Sequence, residues 1–597
     1  MTGGSEPLRR RVARALRRPP ATAASPGRIH PPRGMVEHFS RRLVVGWLSV
    51  PADVDPIRVT LHVGKVAVSS TFATPGAAMS APAGHRDAAS SGDVEEAASS
   101  PAGTLHPWQL PNLPGPAGDR RNSGRQIRTF SFAVRGIWPY VKRSTRITVK
   151  VDGVPLPIAG HGMFLLPPRN GKQSPARLRE LLDAGHVLTQ FGTVELAKSR
   201  DHAWQASVLG LYHEVREVLA DTFGHELFLV GGTLLGAVRE GGYIGHDVDF
   251  DAAYLSRHTR GPDAADELVQ VAVALIRAGY VVDARQTCLH VQRVGEPDIR
   301  IDVFHVYFDE DGLFAFPWGV AGTSTVRRED WRGTRRTPFP GGWGLIPDNA
   351  EQMVEHLYGA DWRLPKPGFN WNLERTAYAA EGRLTDDQRG IVHWESRYAY
   401  HDVDDPSSFC RLVDQRPDTP AAVLDLGCGD GRDAIAFAAA GRSVSALDRS
   451  ELGVQRARLT ADQLGVSDRV SVQVCDFHDP AGLHRLLDGE LRDGEPVLFY
   501  LRFLLHSLDE KAQAVLLEVI AERARPGDVL AAEFRTTGDA QRPKHQRLLR
   551  PRFVDGDAVV AELVGAGFEP LLDEEGVGLS PYHDEDPLLR RVIMRRR

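Results

Sequence analysis

Apolar and polar residues alternate along four stretches of the first third of the chain: Arg41–Val50, Ile57–Ser70, Arg128–Ile137 and Ser144–Ile158. Such alternation marks half-buried strands, and it predicts a small β-sandwich over about residues 36–165. Trp47 and Trp138 are read as core residues, with stacking on sugar rings as the other reading, and the region shows no catalytic signal. An Ala/Ser/Gly/Pro-rich insert at roughly 75–125 is too poor in apolar residues to pack and is expected to be disordered. After a linker at 167–177 the period changes, and Ala203–Gly224 repeats like a helix. HELFLVGG (225–232) then reads as a buried strand entering a Gly-Gly-Thr turn, with LLGAVRE as a short helix. A second linker is predicted near 377–388. Beyond it, residues 421–450 read as apolar strand, glycine turn, helix and a second strand ending in Asp448.

The segment GGTLLGAVREGGYIGHDVDFD (231–251) places a glycine turn shortly before three alternating carboxylates, Asp247, Asp249 and Asp251. Residues two apart in a strand share a face at ~6.6–6.8 Å spacing. All three carboxylates are therefore expected on one side, with Val248 and Phe250 buried on the other. Like charges ~4 Å apart repel by about 4 kcal/mol at an effective dielectric of ~20, and a hard divalent cation held by oxygens relieves that repulsion. An acidic strand end at the surface, or a structural Ca²⁺ loop, would share the spacing. The glycine turn and helix start add backbone N–H groups able to cradle phosphate oxygens. Carboxylates and cradle together point to phosphate chemistry.

These residues resemble the signature of the LicD family, which includes the fukutin-related proteins: approximately G-T-L-L-G-x-x-R-x-G-x-x-I-x-W-D-x-D-x-D. IRIDVFHVY (299–307) resembles its second element, and LYGADWRLPKPGFNW (357–371) its closing Tyr-Gly-x-x-Trp-x-x-Pro segment. The resemblance spans about residues 178–375, with His246 in place of the usual tryptophan and His305 in place of a common proline. It implies a central α+β, nucleotidyltransferase-like domain. The implied activity moves an alcohol phosphate, such as phosphocholine or an alditol phosphate, from a CDP-linked donor to a glycan hydroxyl. Asp249 and Asp251 would be the main ligands of Mg²⁺ (or Mn²⁺), with Asp247 beside them. Asp302 would complete the set and is a candidate base for the acceptor hydroxyl. Gly232 and Thr233 would sit at the phosphates, and Arg239 would neutralise the diphosphate or else pair with a carboxylate. Positioning and charge stabilisation supply most of the catalysis in phosphoryl transfer. A nucleotidyltransferase acting on a small molecule is the alternative.

In the later segment, Gly427, Gly429 and Gly431 let the backbone turn sharply toward a ligand. Asp448, at the end of the next strand, is placed to accept ribose hydroxyls. DLGCGDGR is not the G-x-G-x-x-G opening of a dinucleotide site. It resembles motif I of class I S-adenosylmethionine-dependent methyltransferases, a likeness covering about residues 390–597. The resemblance implies an α/β Rossmann-like fold and S-adenosylmethionine as cofactor. Asp425, the three glycines and Asp448 would bind it, and Asp476 and Phe477 would lie at its adenine. HWESRYA (393–399) resembles the small lid ahead of motif I. His506 is the candidate general base, since imidazole suits proton removal near neutral pH; a core histidine is the other reading. Arg502 would bind an anionic acceptor or cap a helix.

Composition narrows the rest. The expected parts are a basic disordered tail (1–35), the β-sandwich, the LicD-like domain (178–375) and the methyltransferase domain (385–597). A net charge of −6 gives no sign of general nucleic-acid binding. Cys288, Cys410, Cys428 and Cys475 lack metal-site spacing and suit a reducing compartment. No apolar run reaches the ~18–20 residues of a membrane span, and the basic opening lacks the apolar core of a secretory signal. The expectation is a bacterial, cytoplasmic, bifunctional enzyme of surface-glycan assembly that also methylates the same polymer or its precursor; the alternative pairs the small-molecule nucleotidyltransferase with a methyltransferase acting on an unrelated metabolite. Its partners would be a CDP-linked alcohol donor and a surface or lipid-linked glycan acceptor. The basic N-terminus would at most touch the inner membrane face weakly.

Overall fold

The computed structural model describes residues 33–75, 125–319, 326–367, 369, 381–400, 405–490, 495–542, 552–581 and 585–597. The basic tail, nearly all of the 75–125 insert and the end of the 357–371 segment lie outside the described residues. The chain divides into two compact units, residues 1–76 with 114–179, and residues 77–113 with 180–597.

The first unit holds β1 (Arg33–Phe39), β2 (Leu43–Pro51), β3 (Ile57–Val63), β4 (Val66–Pro75), β5 (Arg125–Ala133), β6 (Ile147–Val151) and β7 (Val154–Pro155). They form one antiparallel path in the order β1-β2-β5-β4-β3-β6-β7. Alternation places Val44, Leu48, Val59, Leu61, Val149 and Val151 inside. The predicted sandwich of two packed sheets is corrected to a single curled sheet. Strand twist brings its ends together, so that Val36 of β1 bridges Ile158 beyond β7. Trp47 and Trp138 are half-buried instead of core, their indole N–H groups donating to Glu37 Oε1 and the Arg41 carbonyl, each at 2.6 Å.

Along the chain follow α1 (Pro175–Asp183), a short hairpin of β8 (His186–Leu188) and β9 (Val194–Leu196), and α2 (His202–Phe223). Asp201 caps α2 by accepting the Trp204 N–H, and Gly224 ends it in the left-handed conformation. Next come β10 (Phe228–Leu229), α3 (Gly231–Arg239), β11 (Asp251–Leu255), α4 (Gly261–Arg277), β12 (Tyr280–Ala284), β13 (Cys288–Arg293), β14 (Arg300–Phe308) and β15 (Phe314–Ala315). Five strands run in the order β10-β11-β14-β13-β12, with β15 added to β14. A hairpin of β16 (Thr334–Phe339) and β17 (Gly342–Pro347) and helix α5 (Ala350–Tyr358) complete this region. Its core includes Tyr212, Phe250, Leu268 and Val303.

The chain then enters α6 (Asp386–Tyr400), α7 (Ser408–Asp414), β18 (Ala422–Leu426), α8 (Arg432–Ala439), β19 (Ser443–Asp448), α9 (Glu451–Leu464), β20 (Val470–Val474) and α10 (Pro480–Glu490). It closes with β21 (Val497–Arg502), α11 (Glu510–Arg523), β22 (Val529–Arg535), α12 (Gly556–Gly565), β23 (Phe568–Gly576) and β24 (Leu589–Arg596). Sheet order is β20-β19-β18-β21-β22-β24-β23, parallel except for β24, which is antiparallel to both its neighbours. The chain reverses direction across the sheet between β18 and β21, and the crevice at that switch point is where doubly wound sheets bind ligands. Among the described residues no helix is long and apolar enough to cross a membrane.

Candidate functional site

The first centre lies where β11 begins. Parallel pairing sets Asp251, the first residue of β11, in register with Asp302 of β14. Of the three alternating aspartates only Asp251 belongs to a strand, so the predicted strand over 247–251 is corrected. The backbone here turns to the β8–β9 region instead of a neighbouring strand: Gln190, in the β8–β9 turn, accepts the Val248 N–H at 3.0 Å, donates to Asp249 Oδ2 at 3.1 Å and gives its own N–H to the His246 carbonyl at 2.9 Å. Phe250 is fully buried as expected, whereas Val248 is half-buried.

Asp249, Asp251 and Asp302 each offer an oxygen within 4.8 Å of the others. Asp247 falls outside that set, hydrogen-bonding to Asp249 and pressing on Gly232, where a Cβ would collide with its Oδ2. Gly231 adopts φ 55°, and a Cβ there would strike Asp251 Oδ2. The expected Gly-Gly-Thr turn is in fact the first turn of α3. It grips a carboxylate: Gly232 N–H donates to Asp251 Oδ2, and Thr233 Oγ1 accepts the Asp251 N–H, both at 2.8 Å. The Gly232 N–H expected at a phosphate is thus already engaged.

Burial, opposed by Arg300 and reinforced by Asp249, raises the Asp302 carboxyl to about 7. Arg300 Nε donates to Asp302 Oδ1 at 2.9 Å. Burial and the neighbouring carboxylates push Asp247 and Asp251 well above the ordinary range. His290 Nε2 lies 3.6 Å from Asp302 Oδ2, and its Nδ1 accepts from Arg285 at 3.2 Å. Burial together with Arg300 and Arg285 drives this imidazole down to about 2. Arg239 pairs with Glu240 at 2.9 Å and donates to the Trp362 carbonyl at 3.1 Å. It thereby ties α3 to the Tyr-Gly-x-x-Trp segment. Arg239, His246, Gln205, Tyr243 and Pro340 line a cleft of about 400 Å³.

The second centre lies at the switch point of the doubly wound sheet. Gly427, Gly429 and Gly431 all have positive φ, at 79°, 59° and 81°. Asp448 accepts the Gly429 and Ser450 N–H groups, each at 2.8 Å, which fixes the loop against the end of β19. Asp425 is 2% exposed, and its Oδ2 has no hydrogen-bond partner among the described residues. Asp476 accepts from the His478 N–H at 3.0 Å, and bonding to His478 lowers its carboxyl to about 2. Phe477 sits in the hydrophobic core at 2% exposure. Cys428 is buried and forms no disulfide with another described cysteine.

His506 does not have the setting of a general base. Its Nδ1 accepts the Arg535 N–H at 3.2 Å, and burial with Arg535, Arg502 and Arg552 lowers it to about 3. A neutral ring engaged at Nδ1 carries its proton on Nε2, the tautomer that donates. Arg502 is held by Glu533, at 3.0 Å, which also receives Arg591 at 2.7 Å. Next to it Phe503 adopts φ 58°, a strained conformation for a bulky residue, at the carboxyl end of β21. Sequence reasoning missed Gln190, His290, Arg300 and His478. Arg300 stands two residues before Asp302 in a strand and was open to the same alternation argument; Gln190 gave no local signal.

A buried carboxylate cluster beside a helix start and a glycine loop at a doubly wound switch point define an enzyme with two centres. Residues 224–349 match the LicD/FKTN/FKRP nucleotidyltransferase domain family, and residues 418–488 match a methyltransferase domain family. The chain is therefore an enzyme joining a LicD domain to a methyltransferase domain. Among solved structures, a SAM-dependent methyltransferase from Anabaena variabilis is 17% identical over 35% of this chain and 93% of that one, with a TM-score of 0.28. The glycopeptide N-methyltransferase MtfA is 19% identical over 33% and 98%, with a TM-score of 0.26. No curated protein matches the chain.

Proposed function

We propose that the enzyme modifies a glycan twice, transferring an alcohol phosphate from a CDP-linked donor and methylating the same polymer or its precursor. The observation that carries the first half is the packing of Asp249, Asp251 and Asp302 within 4.8 Å. Three carboxylates so close, two of them under 9% exposed, suit a divalent cation. Mg²⁺ or Mn²⁺ held there would polarise the donor phosphate oxygens. Gln190 and Arg300 orient Asp249 and Asp302, and Asp302, in register with Asp251 across β11 and β14, is the candidate to receive the proton of an acceptor hydroxyl. The cleft behind Arg239 offers room for the transferred alcohol or the acceptor.

The methyltransferase half draws S-adenosylmethionine as its methyl donor. Support comes from three glycines at positive φ, with Asp448 beside them at the switch point. Each Asp448 oxygen takes one N–H and keeps acceptor capacity for a ribose hydroxyl. Ligand-dependent melting tests the whole reading, using Mg²⁺ with CDP-choline, CDP-glycerol, CDP-ribitol or NTPs, alongside D249N/D251N. A ligand at about 100 times its Kd adds about 2.7 kcal/mol. A shift with one CDP-alcohol, lost in the variant, is expected. A response to NTPs alone would replace this reading with nucleotidyl transfer.

A further inference from the structure

The glycine loop of the methyltransferase centre is covered by a helix anchored in the LicD region. Helix α6, DDQRGIVHWESRYAY, is short and polar, and such a helix is marginal by itself in water. Its position is set by what grips it. On one side Val392 is fully buried in the core that holds Leu268 and Val303. Gln388 Nε2 donates to Asp266 Oδ1 of α4 at 2.7 Å, and Tyr400 Oη donates to the Tyr280 carbonyl of β12 at 2.6 Å. On the other side the buried Glu395 carboxylate accepts the Glu451 and Leu452 N–H groups, at 2.7 and 3.2 Å, capping α9. Tyr398 lies on the glycine loop so closely that a Cβ on Gly429 would strike its Oη. Leu452 of α9 packs against the LicD core, and Arg277 of α4 pairs with Glu451.

We infer that occupancy of the glycine loop is thermodynamically linked to the LicD region through α6. An S-adenosyl ligand in the loop would order α6, and α6 in turn would order the end of α4 and the start of β12. The inference rests on the S-adenosylmethionine reading of the loop. Linkage is reciprocal, and coupling between sites in proteins commonly changes affinity by about 5–150-fold. The LicD region thereby becomes part of the cofactor site, and the methyl donor becomes an effector of the LicD region.

Hydrogen exchange on the full chain, with S-adenosylhomocysteine as probe, tests this. The expected result is protection of 425–431 and, outside the methyltransferase sheet, of 276–280. The double variant Q388A/Y400F removes hydrogen bonds to α4 and β12 while leaving Glu395 and Tyr398 in place. It should bind the probe about tenfold more weakly and, at saturation, protect 425–431 without 276–280. G390A works in the opposite direction without loss of a contact. A Cβ on Gly390 meets nothing within 4 Å, and alanine favours the helix, so the probe should bind several-fold more tightly. Protection of the loop with 276–280 unchanged in the parent, or unaltered affinity in both variants, overturns the linkage and spares the cofactor reading. No protection at either segment overturns both.

Discussion

Asp302 lies between a cation, Arg300, and an anion, Asp249, and burial outweighs both. Its folded-state value of about 7 stands above the ordinary 3.8, so the folded chain keeps a proton that the unfolded chain releases. Stability from this group therefore falls as pH rises between about 4 and about 7. In chelator the Tm is expected to drop across that window. Mg²⁺ should recover it above pH about 7 and change little below pH about 5, where protons already neutralise the cluster. A flat Tm in chelator would contradict the assignment. D249N removes one of the crowded charges, so it should raise the Tm without metal. It should also cut transfer by more than about 100-fold, the upper scale for losing an outer-shell partner of a metal. G232A, by driving a methyl into Asp247, should cost about 1–3 kcal/mol in denaturant unfolding.

At the scale of elements, the two chemical motifs were legible in the sequence because each depends on local demands. Gly429 must adopt φ 59° under Tyr398, and Gly231 must admit Asp251, so glycine is dictated at both positions. The extent of the strand at Asp247–Asp251 was not legible. Gln190, which diverts the Val248 N–H, lies 58 residues away in sequence, and alternation cannot register a distant side chain. The first unit failed in the same way: alternation showed which side chains point inward but not that Val36 would meet Ile158. Within α6, HWESRYA (393–399) resembles a small lid in sequence. The second contact face of the helix was hidden, since the apolar residues that reach the LicD core (Ile391, Val392, Ala399, Tyr400) do not show in the sequence which core they join. In α6, G390A should stabilise the protein by about 0.5–1 kcal/mol, measured by the denaturant midpoint.

For the whole molecule, the LicD core reaches Val392 and Leu452, so the two centres of the second unit share apolar packing as well as a chain. Residues 180–597 are accordingly expected to melt in one transition. Hydrogen exchange at β13 in the LicD region and at β21 in the methyltransferase sheet should lose protection at the same denaturant midpoint, and two separated midpoints would show independent domains. The segment leading into α6 has no slack: the Glu381 carbonyl accepts the Tyr307 hydroxyl at 2.5 Å, and the Leu384 N–H donates to the Gln286 carbonyl at 2.7 Å. A tether fastened at two points cannot swing one centre toward the other. For the shared glycan proposed above, passage between them then falls to that substrate, whose own reach would set the shortest chain that both centres engage at once.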